Sequence, residues 1–539
     1  MPHSTTHSEN TPGKVVPAGN LALAVAVGAP PEMLRHTSYF GNTRDRKIVH
    51  SKDGTKRTER HFPGVYAPSE KGLPGHILFS LKHEIPNLAL LAAAFEKMPA
   101  KEIAGHVRSS PTGAYARRMG YLFELLTKKD LGPHLKDVRV GGNYVELLNS
   151  AKVVTSAPRR IPKWRVLDNL PGNGDYAPLI ELTDEVRHAM RLDWKGEISR
   201  AMASGGGDSR LLRRALNYLY VKETVSSYQI ERESIPENRA TRFVEALKNA
   251  GQGSAENALS EASLAGLQGT IVETRFKETG FRKIQNYVGA MVRWNTVVHY
   301  VPPPPDFLKN LMAGLARAVQ RIDGGTSPII QAAVASFGFV FLHPFEDGNG
   351  RIHRYLLHDF LTRNAITPSG TALPVSAAIL EDMRSYDSAL EAYSKTVGRL
   401  VSFKMGDNGA MTVLNGNSVD WIWKFPDLTV QVEFLGRVLG KAIDMLADEI
   451  SHLARYDALL KRARSIVDMP DRQLEDLLNQ IHANNGKLSG NRRKQRFRKL
   501  AASEIREIEQ AYAGIFSSPA LPSIFPRPAG ASGHPPGRN

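Results

Sequence analysis

Two apolar stretches stand close together in the second half of the chain, PIIQAAVASFGFVF at Pro328–Phe341 and RIHRYLLHDFLTRN at Arg351–Asn364. The first is apolar on every side and long enough for a buried helix. The second places Tyr355, Leu356, Leu357, Phe360 and Leu361 on one side of a helical pattern. Between them lies HPFEDGNG, where Pro344 and the pair Gly348 and Gly350 enforce a tight, non-helical turn. The pattern therefore predicts a helix, a polar turn and a second helix, with the turn at the ends of two buried elements.

The same reading organises the rest of the chain. GHILFSLKHEIPNLALLAAAFEK (Gly75–Lys97) predicts a helix broken at Pro86, and PTGAYARRMGYLFELLTK (Pro111–Lys128) predicts another. Alternating pieces at 138–148 and 163–170 predict strands. LALAVAVGA (Leu21–Ala29) reads as a strand or loop. A secretion signal is disfavoured there, because a single lysine, Lys14, precedes it in place of a compact positive region. Glycines 205–207 mark a loop before a helix from Ser209 to about Glu233, which carries Leu211, Leu212, Ala215, Leu216, Leu219 and Tyr220 at helical spacing. YVGAMVRWNTVVHYV (287–301) alternates as a hairpin with its turn at Asn295-Thr296, and Pro302–Pro305 cannot continue it as a ladder strand. A long amphipathic helix near 427–467 presents Leu435, Val438, Leu439, Ile443 and Leu446 as core or as a dimer seam. Two shorter helices should follow it, split at Asn484-Asn485-Gly486. The expected fold class is mostly α. A helical core with a β-hairpin should sit between an N-terminal mixed α/β block and a C-terminal helical, winged-helix-like domain.

Composition sharpens this in a few places. At about 150 residues per domain, 539 residues suggest about three or four domains. The expected division is 1–20 disordered, 21–205 an α/β domain, 206–405 the domain holding the polar turn, 425–516 a helical domain and 517–539 a disordered tail rich in Pro and Gly. A formal charge of +16 favours anionic partners without choosing among them. The absence of cysteine excludes disulfides and thiolate metal sites and fits a reducing, cytoplasmic setting. No run approaches the ~18 apolar residues that span a bilayer, so no membrane partner is expected. NRRKQRFRKL (491–500) is basic with one aromatic, and it makes nucleic acid a candidate partner through 487–500 against the plainer reading of a solvated helix face.

The chemistry concentrates in the turn. Gly348, Asn349 and Gly350 immediately before a helix let backbone N–H groups converge at the positive end of the helix dipole, which makes an anion seat. Arg351 and Arg354, three apart on that helix, reach the same side, and guanidinium forks suit phosphate oxygens. Asp347 beside a phosphate is a natural Mg²⁺ ligand, since Mg²⁺ commonly takes one or two carboxylates plus substrate phosphates. His343 can act as a base near neutral pH, and Phe345 is the inward anchor of the loop. His353 and His358, without such company, are surface or packing residues, and Glu346 beside Asp347 is a candidate second metal ligand. This assembly describes phosphoryl or nucleotidyl transfer. No GxxxxGK[ST], HRD or DFG occurs, so it is neither a P-loop enzyme nor an ordinary kinase.

HPFEDGNGRIHR resembles the signature of the Fic (Fido-fold) family, HxFx[D/E]GNGRxxR, at each specified position: His343, Phe345, Asp347, Gly348, Asn349, Gly350, Arg351 and Arg354. Gly280-Phe281-Arg282 and PPPPDFLKNL (Pro302–Leu311) also look like the family core, and the resemblance extends over about 220–405. It implies a Fido-type helical core and a protein adenylyltransferase, which moves AMP from Mg-ATP to a Ser, Thr or Tyr hydroxyl of a target protein. By that resemblance His343 deprotonates the hydroxyl and Asp347 binds Mg²⁺. Gly348, Asn349, Gly350 and Arg351 hold ATP phosphates, and Arg354 meets the γ-phosphate. The hairpin falls where the family has its flap, so Val288, Gly289, Ala290, Met291 and Val292 are expected to clamp the target by strand addition. The family also implies homodimers.

SSYQIERE further resembles the family's inhibitory motif [S/T]xxxE[G/N], through Ser227 and Glu231 in the helix at about 209–233. There the glutamate would pair with Arg354 and obstruct the γ-phosphate. Arg232 departs from the motif, standing where Gly or Asn is usual. Two alternatives stay open: a related Fic transfer (another nucleotide, a phosphate, or removal of AMP), and a DNA-binding or toxin–antitoxin-like regulator.

Overall fold

The computed structural model describes residues 15–42, 44–52, 55–68, 72–292, 295–322, 328–406 and 409–516. The fold is mostly helical, and the described residues form four small sheets. They divide into two compact units, each assembled from three separated pieces of chain. The first takes the residues up to 191, 251–363 and 383–436; the second takes 192–250, 364–382 and those from 437 onward. The expected disordered tail 517–539, and residues 1–14 of the expected disordered start, lie outside the described residues.

In the first unit, regular structure begins inside the first twenty residues, with strand Val16–Ala18 and helix Gly19–Val27. That helix corrects the strand-or-loop reading of 21–29. A short, wholly apolar run has no polar period to separate helix from strand. What closes the helix is Gly28 at φ +75°, whose N–H bonds back to the carbonyls of Ala24 and Val25. The strand joins a four-stranded sheet in the order Val16–Ala18, His36–Asn42, Thr55–Pro63, Arg46–Lys52; its central pair is parallel and its outer pairs antiparallel. Phe40 and Phe62 pack there with Phe79 of helix Leu73–His83.

The break at Pro86 falls between helices Leu73–His83 and Leu88–Glu96, with the Asn87 side chain capping the second. The helix expected at 111–128 runs Ala114–Thr127. The two alternating pieces shorten to Val145–Glu146 and Val166–Asp168. They form a small sheet with Arg159–Ile161, and Val166–Asp168 is its middle strand. Only residues that meet a neighbouring strand stay regular; the glycine pair Gly141-Gly142, with Gly142 at φ +98°, precedes them as loop.

The centre of this unit is helix Pro328–Leu342, flanked by Pro305–Ile322 and Asn349–Arg363. Every residue from Ile329 to Phe339 is buried, which is why its sequence is apolar on all faces. Two strands, Val288–Val292 and Asn295–Tyr300, form the expected hairpin. Asn295 and Thr296 pair with Val292 and Met291 in its second strand, so they are not its turn; residues 293 and 294 lie outside the described residues.

The second unit is helical among its described residues. It contains Ser209–Ile230, Glu237–Lys248, Val375–Leu380 and the stretch from 437 of the 38-residue helix Thr429–Ile466. Three helices follow that long one, not two: Asp471–Ala483, Gly490–Arg496 and Ala502–Phe516. Leu459, Ala463, Leu474, Leu477, Leu478, Ile481, Phe497 and Ile508 share one apolar cluster. No strand accompanies them among the described residues, so the winged-helix likeness is corrected to a small helical bundle. The extra break comes at Phe497, which turns inward and ends the basic helix.

Candidate active site

Helix Pro328–Leu342 ends at His343, which adopts φ +51°, a left-handed backbone uncommon for a side chain with a Cβ. Its N–H still bonds to the carbonyl of Phe339 at 2.9 Å, closing the last helical turn. The left-handed residue reverses the chain and presents the imidazole, half-buried, at the head of the loop. Nδ1 lies 3.1 Å from the carbonyl of Val340. A carbonyl can only accept, so Nδ1 carries the proton and the basic lone pair is placed on Nε2.

The loop is fixed from within by Asn349. Its Oδ1 accepts the N–H of Phe345 at 3.1 Å, and its Nδ2 donates to the carbonyl of the same residue at 2.7 Å. Phe345 is fully buried against Phe281 and Phe339, the anchor its position suggested. Gly348 turns at φ +91°, and a Cβ there would approach Val272 at 3.1 Å, so glycine meets both a conformational and a steric demand. Helix Asn349–Arg363 then begins, and its first turn exposes backbone N–H groups to the loop.

Asp347 is half exposed, and its Oδ1 accepts from the Gly348 N–H at 2.6 Å and from the Arg351 guanidinium at 2.7 Å. Arg351 and Arg354 are each 1% exposed and lie three apart on helix Asn349–Arg363. An accessible carboxylate beside the Arg351 guanidinium fits Mg²⁺ held chiefly by a nucleotide's phosphates. The described residues hold no cluster of three metal-type ligands that would bind the ion without them. His353 and His358 are buried packing residues, not surface ones; His353 sits against Phe337 and Tyr386.

The loop is also held from outside by residues that the motif does not contain. Arg282, 3% exposed, donates from Nε to the carbonyl of His343 at 2.9 Å, and its remaining nitrogens reach the carbonyls of Ile284 and Pro303. Its backbone N–H bonds to Pro344 at 2.8 Å. Burial pushes this guanidinium down to about 10. Asn286 donates to the carbonyl of Phe345 at 2.8 Å. Glu278 accepts the Glu346 N–H at 2.9 Å and the amide of buried Gln268 at 3.2 Å, while its own N–H donates to Gln268 at 3.0 Å. Desolvation raises the Glu278 carboxyl above its ordinary range. Of these residues only Arg282 carried a sequence signal, inside Gly280-Phe281-Arg282. The others are polar residues in loops and helix ends, with no period to betray them.

The hairpin is a two-stranded sheet with a register shift between Val288 and Gly289. No further strand pairs with either of its edges among the described residues. A Cβ at Gly289 would come within 2.4 Å of the Val297 carbonyl, so the close pairing requires glycine. Pro302 and Pro303 are buried, and their carbonyls accept from Gln285 and Arg282, so the proline run acts as a packed connector. Ser227 is buried near the end of helix Ser209–Ile230, and Glu231, its C-cap, is exposed. Both belong to the second unit, while the loop belongs to the first.

Residues 258–361 match the family model Fic/DOC family, and they enclose the loop, its flanking helices and the hairpin. This segment is a Fic/DOC-family domain. Relatives named Protein adenylyltransferase Fic, from Drosophila melanogaster and Culex quinquefasciatus, are each 36% identical over 89 and 91 residues. The matched part is 16% of this chain and spans only 16% of the length of either relative. Among solved structures, a Fic family protein from Desulfovibrio desulfuricans G20 aligns at 20% identity with a TM-score of 0.34, covering 57% of this chain and 90% of the other. A Fic domain containing signaling protein from Bacteroides thetaiotaomicron aligns at 17% identity with a TM-score of 0.33, covering 48% and 97%. None of the described helices is long and apolar enough to cross a membrane.

Proposed function

We infer that the Fic domain transfers AMP from Mg-ATP to a Ser, Thr or Tyr hydroxyl of a target protein and releases pyrophosphate. The observation that carries this reading is the loop His343–Arg354. A histidine with its Nδ1 proton committed to a carbonyl and an accessible carboxylate bonded to a buried guanidinium share one short turn at a helix start, with the buried Arg354 one helical turn on. Nε2 of His343 takes the proton of the attacking hydroxyl. Arg351 and the N–H groups at the start of helix Asn349–Arg363 hold phosphate oxygens as charge shifts toward the leaving pyrophosphate. Arg354 orients the γ-phosphate. Asp347 would hold Mg²⁺, which when bound would supply positive charge to the phosphates; Gly348 and Arg351 both bond its Oδ1, which leaves Oδ2 for the metal. The open edge of the hairpin offers main-chain pairing to an extended target segment. The names of the curated relatives support adenylyl as the transferred group. The reading also includes cytoplasmic localisation, restraint by Glu231 acting on Arg354, and a homodimer.

The test uses ATP labelled at the α- or the γ-phosphate, with Mg²⁺ and a cell lysate as the source of hydroxyl targets. α-Label should enter protein weakly in the native chain and strongly in Glu231→Gly. His343→Ala should lose labelling by a factor on the order of 10²–10⁴, the usual worth of a positioned general base. Transfer of γ-label in place of α-label would make the protein a phosphotransferase. Equal labelling by Glu231→Gly and the native chain would remove the inhibitory role while leaving the transfer intact.

A further inference from the structure

The basic segment near the C-terminus is outside everything the Fic domain uses. From Lys487 to Lys499 the chain carries Lys487, Arg492, Arg493, Lys494, Arg496, Arg498 and Lys499 and no acidic residue at all. In the structure this stretch is a short helix, Gly490–Arg496, started by the Ser489 side chain on the N–H of Arg492. Phe497 is 4% exposed within the apolar cluster of the C-terminal helices, and Leu488 and Leu500 pack against the same cluster. Anchors at both ends and a buried ring in between fix the segment, so its cations are displayed from a rigid base.

Two of the seven cations are answered inside the fold: Arg496 pairs with Asp476 and Lys487 with Glu509. Arg492, Arg493, Lys494, Arg498 and Lys499 are exposed and make no ion pair among the described residues. Five like charges within eight residues repel one another. Lining them up on an ordered scaffold without intervening carboxylates works against local stability, and an anionic partner would relieve it.

Chemistry narrows the partner. A membrane-surface helix needs an apolar face to insert, and here the single aromatic is turned inward while Asn491 and Gln495 fill the exposed positions. A single-strand binder needs exposed aromatic platforms, and the segment has none. Arginine predominates, and its fork matches phosphate oxygens. The helix of seven residues is about 10 Å long, and a helix is admitted by the ~12 Å major groove of B-form DNA but not by the narrow groove of A-form RNA. Asn491 and Gln495, four apart on one face, have side-chain amides of the kind that read base edges. We propose that Lys487–Lys499 is a binding surface for duplex DNA, gripping the phosphate backbone through Arg492, Arg493, Lys494, Arg498 and Lys499.

The test is fluorescence anisotropy of a dye-labelled 20-base-pair DNA duplex with the full chain, titrated with NaCl. Five phosphate contacts give a slope of log K against log [NaCl] of about −4.5. Replacing the five cations by alanine should weaken binding at least tenfold at low salt and flatten the slope toward zero, while α-phosphate labelling stays unchanged. A control lacking five other exposed cations (Lys101, Lys136, Arg139, Arg213 and Lys309) should keep both affinity and slope. His343→Ala should bind DNA as the native chain does, so this inference and the catalytic reading fail separately. Absence of binding at low salt overturns the proposal, as does an equal loss in the control. Tighter binding to an RNA duplex of the same sequence, or to phosphatidylcholine vesicles containing phosphatidylserine, overturns it too. Because all five substituted side chains are exposed, the variant should unfold at the native temperature. Five arginine-to-lysine or lysine-to-arginine exchanges at the same positions should restore the slope.

Discussion

His343 is committed by its backbone before any substrate arrives: a left-handed φ aims it and the Val340 carbonyl sets its tautomer. The loop that follows depends on a carboxylate some distance upstream, which gives a sharp test. Glu278 receives two N–H donors on one oxygen, from Glu346 and Gln268. Glutamine at 278 keeps an accepting oxygen, whereas alanine leaves both donors without it, at about 1–3 kcal/mol. Glu278→Ala should therefore lower the labelling rate about 10–100-fold and Glu278→Gln by less than about threefold; equal losses would show that charge, not acceptance, is what matters. A second buried carboxylate predicts pH dependence. Glu84 accepts the Asn20 N–H at 2.7 Å in a site where burial pushes its carboxyl up to about 7. The unfolded chain releases that proton near pH 4.3. Between these values the folded state holds a proton that the unfolded state has lost, so this contribution is complete below about pH 4.3 and is lost as pH rises through 7, by about 4 kcal/mol in all. The thermal midpoint of the native chain should fall relative to Glu84→Gln between pH 5 and pH 8, and parallel curves would refute the assignment. At this scale the sequence was legible where chemistry comes in a block. HPFEDGNGRIHR named the loop's groups, but Glu278, Gln268 and Asn286 act through single hydrogen bonds across long sequence separations, and such bonds leave no local pattern.

Elements were legible in proportion to their polar contrast. The helices around the loop announced themselves, one by an unbroken apolar run and the other by its one-sided stripe. Gly19–Val27 did not, because nine residues without polar rhythm fit either class. Strands Arg46–Lys52 and Thr55–Pro63 escaped for the opposite reason: they are rich in charge and mostly solvent-facing. The end of helix Ser209–Ile230 shows what a motif position can mean physically. Arg232 N–H bonds to the Gln229 carbonyl and Glu233 N–H to the Tyr228 carbonyl, the paired closing bonds of a Schellman cap. The residue between must be left-handed, and Arg232 is, at φ +59°. A Gly-or-Asn preference at this point of the inhibitory motif is then a demand of the backbone, and arginine meets it at a cost of about 1 kcal/mol. Arg232→Gly should raise the thermal midpoint by about 1–3 °C and change α-phosphate labelling by less than twofold, in contrast to Glu231→Gly. A lower midpoint would mean that the arginine side chain contributes more than its backbone strain removes.

At the scale of the whole chain, sequence order and compactness part company. A domain expected at 206–405 and another at 425–516 are natural cuts along the sequence, yet the second unit draws on 192–250, 364–382 and the residues from 437 together. Its internal contacts join those pieces. Arg214 pairs with Asp457, Ser204 bonds to the Ala447 carbonyl, and a Cβ at Gly205 would press on Ile450 at 2.8 Å. Within 364–382, Ser376 donates from its N–H and its hydroxyl to buried Glu223, and Lys441 pairs with Glu381. Composition could not reveal this, because a linker and a crossing between units look alike when both are short and helical on either side. The consequence is testable by truncation. A chain ending at Gly436 keeps helix Ser209–Ile230 with Phe243 against Tyr228 and Ser376 on Glu223, but loses Asp457 as the partner of Arg214, the Ala447 carbonyl that Ser204 bonds and the Ile450 side chain beside Gly205. Burial of a large aliphatic side chain is worth about 2 kcal/mol, so losing this packing removes a sizeable part of the ~5–15 kcal/mol that holds a domain. The truncated chain should bind a hydrophobic dye, elute as aggregate on size exclusion and show protease cleavage within 192–250. The full chain carrying the five alanines in Lys487–Lys499 should do none of these. A monodisperse, protease-resistant product ending at Gly436 would show instead that 192–250 holds its structure without the C-terminal helices, and that the inhibitory helix can be studied apart from them.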